Sequence, residues 1–233
     1  EVAARAATTS AFRLAGRAPE SIRRVYIDED RHEQFAEICA DLAINAKLGR
    51  FAGGFEVGPL PTRRAADLAA DLVDRAVEQG ARRVAGGRRV PRVRTPYLTP
   101  AVLADCREEM EIVSHHGAPV LCSIPVPPAQ LDSTVSEVGS RPGCSVLCLF
   151  TADLRRARQL AAGLPTPAVF VNDEPRPFVD PSLPSPASVG RGHGSLHGPE
   201  GLLELTRPVV LSVDEGRIPA KPTWFPYDHD KLT

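Results

Sequence analysis

Apolar residues recur at helical spacing in some stretches of the chain and in short unbroken runs in others, and the alternation of the two predicts its elements. Residues 2 to 15 (VAARAATTSAFRLA) are small and apolar throughout, with Gly16 as a stop, and predict a buried or half-buried helix. Arg24-Val25-Tyr26-Ile27 reads as a short strand within 22–27. Phe35, Ile38, Cys39, Leu42 and Ala46 then mark one face of a helix over 29–49. A clearer helix covers 62–80, with Thr62 as its cap, Leu68, Leu72, Val73, Ala76 and Val77 as its stripe, and Gly80 at its left-handed end.

Downstream the pattern becomes strand (119–126), weak helix (128–138), strand (144–150), helix (152–162) and strand (168–171). Continuous apolar strands alternating with helices predict an α/β fold, a mostly parallel sheet flanked by helices. One sheet is expected to hold 22–27, 119–126, 144–150 and 168–171, the last three side by side. Residues 172–198 read as a proline- and glycine-rich loop, followed by a short helix from Pro199, a strand PVVLSV (208–213) and a polar tail.

Composition narrows the class. In 233 residues, 28 basic side chains meet 29 acidic ones, so no general positive field favours nucleic acid or an anionic membrane. No apolar run approaches eighteen residues, which excludes a membrane-spanning helix. Prolines number 23, about twice ordinary usage, and only six lie in the first half, so the second half is loop-rich. Five cysteines (Cys39, Cys106, Cys122, Cys144 and Cys148) without a paired spacing point away from disulfides and structural zinc, and make a reducing, cytoplasmic setting the expectation. The start at Glu1-Val2 predicts a truncated or processed piece with a segment preceding it.

Local chemistry is sparse. Gly190-Arg191-Gly192-His193-Gly194 has the glycines to approach a phosphate, but it lacks the preceding strand and following long helix of a dinucleotide loop and reads as a series of turns. His115-His116 has no carboxylates at ligand spacing, and adjacent side chains on an extended segment point to opposite faces, so no metal site is expected. Cys39, Cys144 and Cys148 sit in apolar patterns and read as core.

The order of several short motifs goes further. VGPL (57–60), the glycines of 80–87, YLTPAVLADC (97–106), Met110-Glu111-Ile112, APVL (118–121), LFTADLRRARQLA (149–161), VFVND (169–173) and GHGSLHGPEGL (192–202) follow one another along nearly the whole chain. That order resembles the C-terminal half of the aldehyde dehydrogenases. His197-Gly198 and the terminal Trp224-Phe225-Pro226-Tyr227 with Lys231-Leu232 are most similar to the class 3 branch.

The resemblance implies a catalytic domain over 1–203, an oligomerisation strand and tail over 204–233, NAD(P) as cofactor of the lineage, and a preceding nucleotide-binding half that carries the general base. In register with Ala11-Phe12, Gly16-Arg17 and Arg24-Val25-Tyr26-Ile27, the position of the nucleophilic cysteine is Pro19. Proline has no thiolate to attack an aldehyde. His116 falls at or near the glutamate that holds the nicotinamide ribose, and Pro184-Ser185-Pro186-Ala187 replaces a Pro-Phe-Gly-Gly turn near the substrate. Three departures on three functional motifs imply a catalytically silent relative, with no cofactor expected for this chain itself and a homodimer or heteromer built through 205–227. The alternative is a fragment of an active NAD(P)-dependent aldehyde dehydrogenase.

Overall fold

The computed structural model describes residues 1–49, 54–175, 180–188 and 191–216. Helix α1 (Val2–Phe12) runs into a 3-10 turn, Arg13–Gly16, and a loop to strand β1 (Arg24–Asp28). Helix α2 (Glu29–Asn45) follows at once, because the Asp28 carboxylate caps it by accepting from Asp30 N–H and Glu29 and Asp30 suit its positive end. It stops four residues short of Gly49, and His32, Phe35, Ala36, Cys39, Ala40 and Ala43 form its buried face. In α3 (Arg63–Glu78), Thr62 Oγ1 caps by accepting from Ala65 N–H. Its buried stripe is Ala66, Ala69, Leu72, Val73 and Ala76, one step round from the expected one, so Leu68 and Val77 are exposed.

The main sheet takes in two strands that the sequence pattern did not reveal, β2 (Arg82–Ala85) and β3 (Ala101–Ala104), beside β4 (Val120–Val126). Its order is β1-β4-β3-β2, with β1 and β3 parallel to β4 and β2 antiparallel to β3. Val120, Leu121, Cys122 and Ser123 are buried in succession, which requires cover on both faces of β4. Between β3 and β4 lies the short helix α4 (Glu111–Ser114), and after β4 come a 3-10 turn and α5 (Leu131–Gly139). The α/β class and the helix-flanked, mainly parallel sheet agree with the sequence pattern.

The single-sheet expectation needs correction. Strands β5 (Val146–Leu149) and β6 (Ala168–Val171), joined by α6 (Leu154–Ala162), pair in parallel with each other in a separate two-stranded sheet. β5 is kept off β4 because both edges of β4 are already taken, by β1 and β3. The proline-rich loop also contains an antiparallel ribbon, β7 (Ser185–Ser188) with β8 (Arg191–Leu196), before α7 (Gly198–Leu203). The expected turns at 191–194 are therefore strand, paired by backbone bonds that need no apolar alternation. Residues 208–213 form no strand. They have no neighbouring ladder, and Val209, Val210 and Leu211 are 81%, 89% and 84% exposed. The tail motif at 224–232 lies outside the described residues.

Candidate active-site loop

The chain leaves α1 through three left-handed residues in a row, Leu14 (φ 51°), Ala15 (φ 55°) and Gly16 (φ 71°). For leucine and alanine this costs about 1–2 kcal/mol each. Packing holds the turn: Ala15 is fully buried, and Gly16 O accepts from Gly117 N–H at 3.2 Å. A Cβ on Gly16 would stand 1.9 Å from Ala118 O, so only glycine permits this approach. The loop beyond is pinned on its own side as well, where Arg17 Nε donates to Leu14 O (2.8 Å), Ser21 N–H to Ala18 O (3.0 Å) and Ile22 N–H to Ser10 Oγ (3.0 Å).

The structure thereby brings two of the sequence-selected positions into one neighbourhood. Pro19 is an exposed residue of the turn at 17–20, and His116 is an exposed residue of the segment that Gly16 touches. Its neighbour His115 is half-buried. Burial lowers its pKa below the usual histidine value; Glu111 opposes the effect and Arg23 adds to it. The third position does not join them in the main sheet, since Ser185, Pro186 and Ala187 are strand residues of the β7–β8 ribbon.

Two groups that the sequence reading missed reach this loop. Arg13, in the 3-10 turn, pairs with Glu174 at 2.9 Å, which ties the loop's origin to the segment after β6. Glu20 Oε2 and Ser21 Oγ, on the two residues that follow Pro19, are buried without a hydrogen-bond partner, as is Glu174 Oε2. No spacing rule could pair residues 161 positions apart such as Arg13 and Glu174. The same holds for a network under the sheet, where His32 Nε2 lies 2.9 Å from Ser123 Oγ and His32 Nδ1 lies 3.5 Å from Asp105 Oδ1. These are the residue types of a nucleophilic triad. Ser123 is 1% exposed and its hydroxyl also donates to Leu103 O, so the network ties α2 to β3 and β4 and offers no access to a substrate.

No cysteine lies within the loop over 13–23. All five cysteines are free thiols; Cys39, Cys106 and Cys122 are buried and Cys144 and Cys148 half-buried. Burial pushes Cys39 up to about 12 and Cys148 up to about 12, and a hydrogen bond with Cys106 together with burial holds Cys122 well above its ordinary value. Nucleophilic cysteines need the opposite shift. Among the described residues no three His, Cys, Asp or Glu side chains gather as a metal site. No described helix is long and apolar enough to cross a membrane.

The strand–helix junctions present also do not fit the NAD(P) that the resemblance implies. A pyrophosphate is held by glycines opening onto a helix N-terminus. Here β1 opens onto Asp28, Glu29 and Asp30, β4 onto Pro127-Pro128, and β5 onto Asp153 as the cap of α6. Carboxylates at two of these junctions repel a phosphate, and proline at the third offers no N–H.

Comparison with known proteins is consistent along the chain. The profile of the Aldehyde dehydrogenase family matches residues 1–208. A putative succinate-semialdehyde dehydrogenase [NADP(+)] 2 of Mycobacterium tuberculosis is 31% identical over 213 residues, covering 90% of this chain and 40% of its own length. A 4,4'-diapolycopene aldehyde oxidase of a Methylomonas species is 26% identical over 227 residues, covering 97% and 41%. Among solved structures, the lactaldehyde dehydrogenase of Escherichia coli superposes with a TM-score of 0.74 at 26% identity, over 87% of this chain and 42% of that one. The chain thus spans about 40% of the length of the curated relatives it matches.

Proposed function

The chain belongs to the aldehyde dehydrogenase family, and from that membership we propose that it is a catalytically silent form of the family's catalytic half, kept as a structural and association module. One observation carries this reading: the loop in register with the nucleophile presents an exposed Pro19, and the protein's cysteines lie elsewhere, with the Cys39 and Cys148 thiols pushed up by burial. Aldehyde oxidation in this manner needs a thiolate to form the covalent adduct and a base to activate water for its release. His116, at the ribose-binding position, keeps a ring where a carboxylate would accept the sugar hydroxyls, which weakens the same site for a nucleotide.

Association is supported from a separate side. The segment 204–216 follows α7 with neither helix nor strand, and it carries Leu205, Val209, Val210, Leu211 and Val213, each at least 74% exposed. An apolar run of this kind adds readily to another sheet edge or packs on another chain. We assign the oligomerisation role to 204–233, with the contact over 205–227 in a homodimer or a heteromer. The class 3 placement rests on His197-Gly198 and the tail motif.

A second reading is favoured by the 40% coverage of the relatives, which leaves room for a nucleotide-binding half outside these residues. In that case the chain is a fragment of an active NAD(P)-dependent aldehyde dehydrogenase. Assay of the protein with succinate semialdehyde and NADP(+), or with a medium-chain aldehyde and NAD(+), tests the silent assignment. No reduced nicotinamide above a buffer blank is expected, and Pro19→Cys alone is expected not to restore it. Turnover abolished by a substitution within 16–22 would overturn the silent assignment.

A further inference from the structure

The six arginines at 63, 64, 88, 89, 92 and 94 hold more than a fifth of the chain's 28 basic side chains on two short segments, although the net charge is only -1. The fold brings these segments together. Arg63, Arg89, Arg92 and Arg94, with Val90, Pro91 and Val93, line a surface cleft of about 470 Å³.

The loop that carries them is built. Gly87 N–H donates to Thr99 O (3.0 Å), Thr99 N–H to Arg88 O (2.9 Å), and Val90 N–H to Tyr97 O (3.2 Å), so 87–90 and 97–99 form a short ladder with 91–94 at its tip. At its base Gly86 is left-handed, and a Cβ there would meet Pro100 O at 1.8 Å. At the tip, Arg92 has φ 62°, a left-handed conformation unfavourable for a long side chain.

Counter-charge is scarce. Asp67 pairs with Arg89. Among the described residues no ion pair engages Arg63, Arg64, Arg88, Arg92 or Arg94, all exposed, while Arg89 Nε is a buried donor without a partner. Four arginines lining a concave space, one of them paired with a carboxylate, match a compact ligand carrying several negative oxygens, because each guanidinium offers paired N–H donors to phosphate geometry.

We infer that the cleft between the start of α3 and the 88–94 loop is a binding site for a multivalent oxyanion of the polyphosphate class, free or as the phosphate chain of a nucleotide. The site lies at the β2 edge of the sheet, three strand spacings (about 14 Å) from β1 and the Pro19 loop. It is independent of any aldehyde chemistry.

Isothermal titration of the whole protein with sodium pyrophosphate, ATP, orthophosphate and poly-glutamate at one ionic strength tests it. Saturable binding of pyrophosphate is expected, at least tenfold tighter than orthophosphate, and weakened at least tenfold in Arg92→Ala/Arg94→Ala and in Arg63→Ala. The thermal midpoint of the unliganded variants should stay close to that of the parent, because these side chains are exposed. Equal binding of ATP and pyrophosphate assigns recognition to the phosphate chain from either source; pyrophosphate alone assigns a free polyphosphate. No saturable binding, binding that the variants leave unchanged, or a response only to poly-glutamate would overturn the inference, the last in favour of an acidic peptide.

Discussion

Gly16 is where one residue type decides the geometry of the candidate loop. Its positive φ and the 1.9 Å approach to Ala118 O leave no room for even a methyl group, and the obstruction is backbone. Gly16→Ala should destabilise the protein by about 3 kcal/mol or more, seen as a lower urea midpoint. A neutral result would mean that the loop does not pack on 115–118 as described. Thiols give a second residue-scale expectation. An unfolded cysteine ionises near its ordinary value of 9.0, while Cys39 and Cys148 hold their protons up to about 12 when folded. A raised folded pKa on an acid contributes stability that is full below about pH 9 and is lost as pH climbs toward 12. The urea midpoint should therefore fall across that window, and Cys39→Ala/Cys148→Ala should flatten the fall relative to the parent.

Among the elements, α3 shows how a pattern and its packing can differ by one step. Its apolar positions span more than one face, and the alanines Ala66 and Ala69 win the buried stripe because small side chains allow close approach to the core, which leaves Leu68 and Val77 outside. Leu72 is at the centre of that stripe and 1% exposed. Leu72→Ala should cost about 2–5 kcal/mol through lost burial and the cavity left behind, whereas Leu68→Ala should cost well under 1 kcal/mol. Chemical denaturation of the pair reads the difference directly, and equal losses would place the stripe where the sequence pattern alone put it.

For the whole molecule, exposed apolar surface is the telling quantity. The segment after α7 leaves Leu205, Val209, Val210, Leu211 and Val213 exposed, and β1 adds a sheet edge whose five residues are only half-buried. Sedimentation at micromolar concentration should show a dimer or larger species that becomes monomeric when 204–233 is removed. A parent chain that is monomeric, and equally stable after truncation, would remove the association role.

The sequence by itself determined what depends on neighbours along the chain. The Thr62 cap, the Phe35 and Cys39 part of the buried face of α2, the buried run of β4 and the parallel pairing of β1 with β4 and of β5 with β6 all follow from local spacing and residue type. So does the series of family motifs. Tertiary structure alone decided which strand lies beside which. An apolar run signals burial but not its partner, so β4 was free to join β1 and β3 instead of β5, and the four-residue strands β2 and β3 carried too little pattern to be seen. Arg13 meets Glu174, His32 meets Ser123, and Arg63 meets the 88–94 loop for the same reason: contacts between distant residues are set by how the layers pack, and that information is spread over the whole chain rather than written at either residue.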